Sequence, residues 1–313
     1  MLHWLRKVRV TLTGGAGMFT VNPGGVGQHQ IKVSFSVSRT IGSTPNSASI
    51  TIYNLSEGQR QSIGKEFDEV TLEAGYEDQV GVIFKGQIRD VKHKAKERNS
   101  VQSARSGLDI ETQIDLGDGD AALRKAVISQ TFPAGSTVEE IIEGVYKSLE
   151  EQGLARGEWA LPEDILQEYK RAYTVYGKSF TQLNLLSRSH RFYWSIQNGV
   201  VEIIPHNGAL PGTIFISSQS GLIEAPTLTD NGIIVRAMLN PAARPNRTMT
   251  VQSDIVNLGE NAMYRISEVD FYGDNYKGSY EMRLTGETLE GGQVDEGVGV
   301  DALIAAAKKA LPL

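Results

Sequence analysis

Residues 172–179 read AYTVYGKS. With Ala172 in the first slot, Gly177, Lys178 and Ser179 stand where a Walker A loop places its glycine, its phosphate-binding lysine and its magnesium-binding hydroxyl. Such a loop must turn several backbone N–H groups inward onto phosphate, which glycines make easy. The variable positions here are Tyr173, Thr174, Val175 and Tyr176, aromatic and β-branched residues that favour an extended strand. No apolar strand ending in an acidic residue follows to hold magnesium. The stretch therefore reads as a strand, a turn at Gly177, and a helix capped by Ser179 with Gln182 closing a capping box. Lys178 is expected in solvent, and nucleotide binding is the weaker reading.

Other chemistry-bearing residues also have a structural reading. Asp115, Asp118 and Asp120 gather in DLGDGD, but the spacing is not that of a calcium-binding EF-hand loop. A strand-to-helix turn with Asp120 as the cap fits better. None of the five histidines begins a His-Glu-x-x-His pattern, and there is no Gly-x-Ser-x-Gly elbow. His190 and His206 flank a hairpin and read as hydrogen-bonding or solvated groups. The chain has no cysteine, which removes disulfides, thiolate metal sites and thiol nucleophiles. The expectation is no catalytic, cofactor-binding or metal-binding residue.

Lys85, Arg89, Lys92, Lys94, Lys96 and Arg98 form a basic run without interleaved aromatics. Single-strand stacking is thus unsupported. The run reads first as a strand end and hairpin tip in solvent, and second as a protein contact. The net charge is −6, from 31 basic and 37 acidic residues, which argues against a general nucleic-acid binder. No stretch approaches the ~20 apolar residues of a membrane span, and the N-terminus does not read as a signal peptide.

The elements that must position these residues are mostly strands. Period-2 alternation runs through Val8–Leu12, Ile31–Val37, Ala48–Ile52, Val70–Tyr76, then Val82, Phe84 and Ile88, and finally Leu108–Ile114. SEGQRQSI reads as a short helical turn with Ser56 as cap and Gln59 three residues on. In the middle, STVEEIIEGVYKSLEEQG places Val138, Ile141, Ile142, Val145, Tyr146 and Leu149 on one helical face, with Ser136 and Glu139 as capping box and Gly153 as stop. A strand, a second helix and the hairpin RFYWSIQNGVVEIIP follow, with Gln197-Asn198-Gly199 at the turn. After Pro211 the alternation returns, with an imperfect step between Ile266 and Val269. The expected fold is mainly β with an α/β insertion. It comprises a first antiparallel β-barrel domain at 1–125, an α/β insertion at 126–210 and a second β-barrel domain at 211–290. An acidic, Gly-rich tail with a short C-terminal helix occupies 291–313.

Within this pattern, NSASITIYNLSEGQRQSI followed by EVTLEAGYEDQVGVIFKGQIRDV resembles the first domain of phage baseplate hub proteins. The resemblance rests on a strand ending in Asn54-Leu55, a helical turn, the V-x-L-x-A-G-Y strand from Val70 to Tyr76, and the I-F-x-G-x-I strand from Ile83 to Ile88. YGKSFTQLNLLSRSHRFYWSIQNGVVEII looks like that family's inserted α/β domain. The match is most specific over 46–91, fair over 176–204 and architectural beyond 211. Related proteins include late control protein D and the hub part of type VI secretion spikes.

The resemblance implies a structural adaptor without catalysis. It would be a homotrimer of tandem barrels with pseudo-sixfold symmetry at the tail tip of a virion, assembled in the host cytoplasm. Its implied partners are the tail tube protein, the central spike protein and other baseplate proteins, with tape-measure protein and DNA passing transiently through its channel. Alternatives are a tail-associated cell-wall-degrading protein and, behind it, the nucleotide-binding protein suggested by AYTVYGKS. The channel wall is expected to be polar, and the interface residues are not identified by the sequence.

Overall fold

The computed structural model describes residues 5–289 except 24–29, 66, 78, 98–107, 167, 257 and 259–262. The acidic tail and C-terminal helix expected at 291–313, and Arg98 of the basic run, lie outside the described residues.

The first segment contains β1 (Arg6–Gly14), β2 (Gly17–Val21), β3 (Val33–Thr40), β4 (Ser47–Tyr53), α1 (Glu57–Ser62), β5 (Glu69–Tyr76), β6 (Gln79–Glu97) and β7 (Leu108–Gly117). The middle contains α2 (Asp120–Lys125), β8 (Val127–Phe132), α3 (Val138–Glu150), β9 (Ala155–Trp159), a 3-10 turn at Glu163–Leu166, β10 (Tyr173–Lys178), α4 (Ser179–Ser189), β11 (Phe192–Gln197) and β12 (Val200–Pro205). The last part contains β13 (Thr213–Ile216), β14 (Thr227–Thr229), β15 (Gly232–Met238), β16 (Thr248–Val251), β17 (Met263–Asp274) and β18 (Tyr280–Glu287).

The molecule is mainly β, as its alternation implies. The first and last segments share one ladder, ordered β14-β15-β18-β17-β3-β4-β7-β6-β5-β1-β2, with β13 and β16 attached through β17. They meet where β17 pairs antiparallel with β3, from Glu268 opposite Thr40 to Asp274 opposite Ser34. One apolar core runs through both, including Val10, Leu72, Ile114, Val235, Phe271 and Leu284. The ladder is open, and no closed barrel occurs among the described residues.

Bulges explain where strict alternation fails. β6 pairs with β5 through Gln87 and with β7 from Gln87 onward. It changes sheet layer beside a bulge between Ile88 and Asp90, the usual way one strand turns a corner between packed sheets. A second bulge, between Leu72 and Glu73, places Ile83 rather than Val82 in the core beside Phe84. The irregular step expected after Ile266 is a bulge against β18.

The AGY end of β5 has a specific structural reason. Any Cβ on Gly75 would lie 1.9 Å from the Gln79 carbonyl oxygen across the hairpin. The Gly75 N–H donates to Tyr280 Oη at 2.9 Å, and that hydroxyl lies 2.6 Å from the Lys7 carbonyl oxygen, to which it donates. The Tyr280 ring packs edge-on against Tyr76 at 5.4 Å. One buried hydroxyl thus joins the end of β18 to β1 and β5. Tyr280→Phe is expected to destabilise the protein by about 1–2 kcal/mol, because buried backbone groups lose their partner. Urea denaturation checks this, and an unchanged midpoint would contradict it.

The middle segment forms a second core around α3 and α4, flanked by the β8–β10 ribbon and a sheet ordered β11-β12-β9. Val138, Ile141, Ile142, Val145, Tyr146 and Leu149 are all buried on α3. The helix starts one residue later than its sequence suggests. Thr137 and Glu140 form the capping box, while Ser136 is buried ahead of it. At α1, Ser56 and Gln59 form the expected box.

Candidate functional site: a buried polar junction and an open polar face

The Walker-like residues occupy a strand and a helix start. Tyr173–Lys178 pairs antiparallel with β8. Ser179 does not cap α4. Lys178 occupies the cap position without a side-chain cap bond, and the Ser179 hydroxyl lies buried 2.5 Å from the Ser148 hydroxyl. Gln182 instead donates to the Tyr176 carbonyl. A buried hydroxyl held between two packed helices is not presented to a magnesium ion, and Lys178 is exposed. Lys178→Ala is expected to change stability by less than about 0.5 kcal/mol. Thermal unfolding checks this.

The three aspartates also separate. Asp120 is the first residue of α2 rather than its cap, which is Gly119 in a left-handed conformation. Asp120 forms an ion pair with Arg89 at 2.5 Å. Asp115 accepts from Ser49 on the outer sheet face. Asp118 is buried and turned towards the middle segment. No metal-binding cluster occurs among the described residues. His190 contacts Tyr169, and His206 stacks on Tyr193.

The polar groups that are brought together lie where the tip of the β11–β12 hairpin meets the β core. Asn198 and Gly199 have φ of 58° and 80°, the positive pair that a two-residue hairpin turn of this type requires. Their N–H groups donate to the Asp118 carboxylate at 2.5 and 2.8 Å. The Asn198 side chain accepts from the Lys85 N–H. Arg39 is 1 % exposed on the core side of β3 and donates through Nε and Nη2 to Gln197 Oε1 and through Nη1 to the Ile83 carbonyl. Gln197 Nε2 returns a bond to the Thr40 carbonyl, and Asn46 donates to the Ile196 carbonyl. Burial lowers the Arg39 guanidinium to about 10, so it stays charged at neutral pH. Burial pushes the Asp118 carboxyl up to about 6, against the opposing effects of the two N–H donors and Arg39.

A second set of contacts fixes the base of the same hairpin. Glu202 of β12 accepts from Asn246 and Arg247 at 2.7 and 2.6 Å. Arg265 of β17 donates to the carbonyls of His206 and Gly208 and pairs with Glu287. The insertion is therefore held by charge-assisted bonds to both β segments. Such bonds are directional and fix an orientation more narrowly than apolar packing does.

The strands on the far side of the core present an open polar face. Ser34, Ser36 and Ser38 of β3 lie opposite Thr51, Ser49 and Ser47 of β4. Asp274, Tyr272 and Asp270 of β17 flank the same serines, and Gln113 and Asp115 of β7 flank the β4 side. Towards the ends, Lys92 pairs with Asp90 and Asp115, and Arg236 pairs with Glu224 and Glu281. Small hydroxyls dominate the centre, and paired charges lie outside them.

The sequence matches the family model described as Baseplate hub gp41 over residues 7–280. No curated protein matches the sequence. Among solved structures, the fold is similar to the 43 kDa tail protein of prophage MuSo2 from Shewanella oneidensis, at TM-score 0.58 and 10% identity, covering 90% of this chain and 96% of that one. It is also similar to a tail protein from Neisseria meningitidis MC58, at TM-score 0.57 and 11% identity, covering 93% and 99%. A third is the E. coli c3393 protein, described as a type VI secretion component with structural similarity to T4 bacteriophage tail proteins gp27 and gp5. It has TM-score 0.56 and 14% identity, covering 84% and 75%.

Proposed function

We propose, from the premise that this chain belongs to the Baseplate hub gp41 family, that it is a non-catalytic, homotrimeric adaptor joining the tail tube to the central spike. The observation that carries this reading is the open polar face, which runs without interruption across strands from both β segments. Each segment supplies one barrel-like module, and β3 with β17 forms the seam between them. Three copies then place six similar modules around an axis, and one repeated contact closes the ring. The serine-rich face forms the channel wall. Its hydroxyls are well hydrated and carry no net charge, so a passing polyanion or extended polypeptide meets few strong attachment points. The insertion, fixed at the rim by the Arg39 and Asp118 junction, contacts the surrounding baseplate proteins. The site of action is the virion tail tip, after assembly in the bacterial host.

Mass photometry of the purified chain, alone and with tail tube and spike proteins from the same genome, tests this. A species of three times 34.2 kDa supports the reading. A monomer under all these conditions contradicts it.

A further inference from the structure

In a chain of net charge −6, the β8–β10 side of the insertion is free of acid: residues 121–138 and 169–201 contain no aspartate or glutamate. On the outer face of the ribbon, Val127, Ser129 and Thr131 lie opposite Lys178, Tyr176 and Thr174, and all six are exposed. Tyr176 is 76% exposed and Val127 65%. Arg124 and Lys125 precede one end of this stripe, and Lys170 and Arg171 precede the other. These four are exposed as well, and none of them forms an ion pair among the described residues. The ribbon is also unfinished as a sheet. β8 pairs only with β10, and no other backbone group bonds to residues 127–132 among the described residues. On β10, the Tyr176 carbonyl already accepts from the Gln182 side chain. The edge of β8 is the one left open.

We propose that segment 290–301 of the same chain docks along the open edge of β8 as a third strand. This segment, EGGQVDEGVGVD, lies outside the described residues and carries four acidic residues and no basic one. Three observations point to it as the occupant. First, its charge is opposite to that of the ribbon, which selects this segment over neutral or basic ones. Second, its acids have the right spacing. Asp295 and Asp301 are six residues apart, so an extended strand carries both on one side, about 20 Å from each other. β8 is six residues long and has cations just beyond each end. Gly297, Val298, Gly299 and Val300 between the two acids match the uncharged middle of the ribbon. Third, the segment starts within reach. Thr288 bonds to the Asn231 carbonyl, and Glu287 pairs with Arg265, which also holds the His206 and Gly208 carbonyls at the base of the insertion. From there, twelve extended residues span up to about 40 Å. That exceeds the roughly 30 Å breadth of a compact segment the size of the insertion. The added strand covers an edge that would otherwise template pairing with other chains.

The absence of cysteine provides a test without background. In the full chain, Ser129→Cys is combined with Gly297→Cys or Gly299→Cys and oxidised with copper phenanthroline. Paired strands bring facing side chains close to disulfide range. The expected product of at least one combination is an intramolecular disulfide, read as a faster-migrating monomer on non-reducing gels. Adding Lys125→Glu, Lys170→Glu, Arg171→Glu and Lys178→Glu together is expected to slow its formation about tenfold, as for the loss of several exposed ion pairs. Reversing the tail in that background, with Asp295→Lys, Glu296→Lys and Asp301→Lys, is expected to restore the rate. All four ribbon sites are exposed, so the melting temperature should stay within about 2 °C. Hydrogen exchange over residues 127–132 should be slower in the unsubstituted chain than in the variant with only the tail reversed, and equal exchange would overturn the strand addition. An intermolecular disulfide would assign the ribbon to the tail of a second copy and overturn the proposal. So would the absence of a disulfide in both combinations, or one whose rate ignores charge reversal.

Discussion

Replacing Arg39 with alanine is expected to cost about 3 kcal/mol or more and to loosen the insertion from the β core. The change removes three buried hydrogen bonds at once. It leaves the Ile83 carbonyl without this donor and Gln197 Oε1 with only Asn46, and it opens a cavity at a position that is 1 % exposed. Stranded buried acceptors and an unfilled core space each cost on the order of 1–3 kcal/mol. Arg39→Met separates the two contributions, because it restores most of the volume without burying a charge. It is expected to cost about half as much or less, since apolar replacement of buried ionic groups is often tolerated. Urea denaturation gives the stability change, and limited proteolysis at the connections near residues 119 and 206–212 reports the loosening. Equal losses in both variants would show that the lost hydrogen bonds, rather than the cavity, carry the cost. No loss in Arg39→Ala would show that the junction does not hold the middle segment to the β core.

The second large effect depends on pH. Asp118 has a folded-state value of about 6 against an ordinary value of 3.8, and burial is the principal cause. The folded protein therefore binds the Asp118 proton more tightly than the unfolded chain does. The stability this contributes is present in full below about 3.8 and is lost as pH rises through about 6. A shift of this size corresponds to about 3 kcal/mol between the two limits. Asp118→Asn keeps the shape and one acceptor but does not titrate. Between pH 4 and pH 7, the stability of the wild-type protein should fall relative to Asp118→Asn by up to that amount. Denaturation midpoints at a series of pH values measure the gap, and a gap that stays flat would show that the carboxylate is already ionised at pH 4. At neutral pH the ionised carboxylate is held by the Asn198 and Gly199 N–H groups, so the hairpin remains docked there with less stability to spare.

Local patterns in the sequence reveal most of the frame. Strand positions follow from alternation at Val8–Leu12 and Ala48–Ile52, and the Asn198-Gly199 turn follows from the two left-handed positions it must supply. Helix starts shift by one residue where two hydroxyls compete, as at Ser136 and Thr137, because the choice depends on which hydroxyl the core encloses. Ser179 illustrates the same limit, since its hydroxyl is claimed by Ser148, thirty-one residues away. Bulges escape period-2 reading because they depend on the partner strand, and so Ile83 takes the core position that alternation assigns to Val82. The junction left one usable signal. Val33, Phe35, Val37 and Arg39 share a strand face, and a lone arginine on an apolar face requires a buried partner. Its partner, Gln197, lies 158 positions away, beyond the reach of any local pattern. Nor could periodicity show that β3 and β17 join the two β segments into one sheet, because pairing across such a separation leaves no local trace.

Cryo-electron microscopy of the assembled tail tip tests the central claim most directly. Three copies of this chain are expected around the axis, with Ser36, Ser38, Ser47 and Ser49 lining the channel and the insertion at the rim. A tail tip in which that serine face is packed against another protein, or in which the chain surrounds no channel, would contradict it.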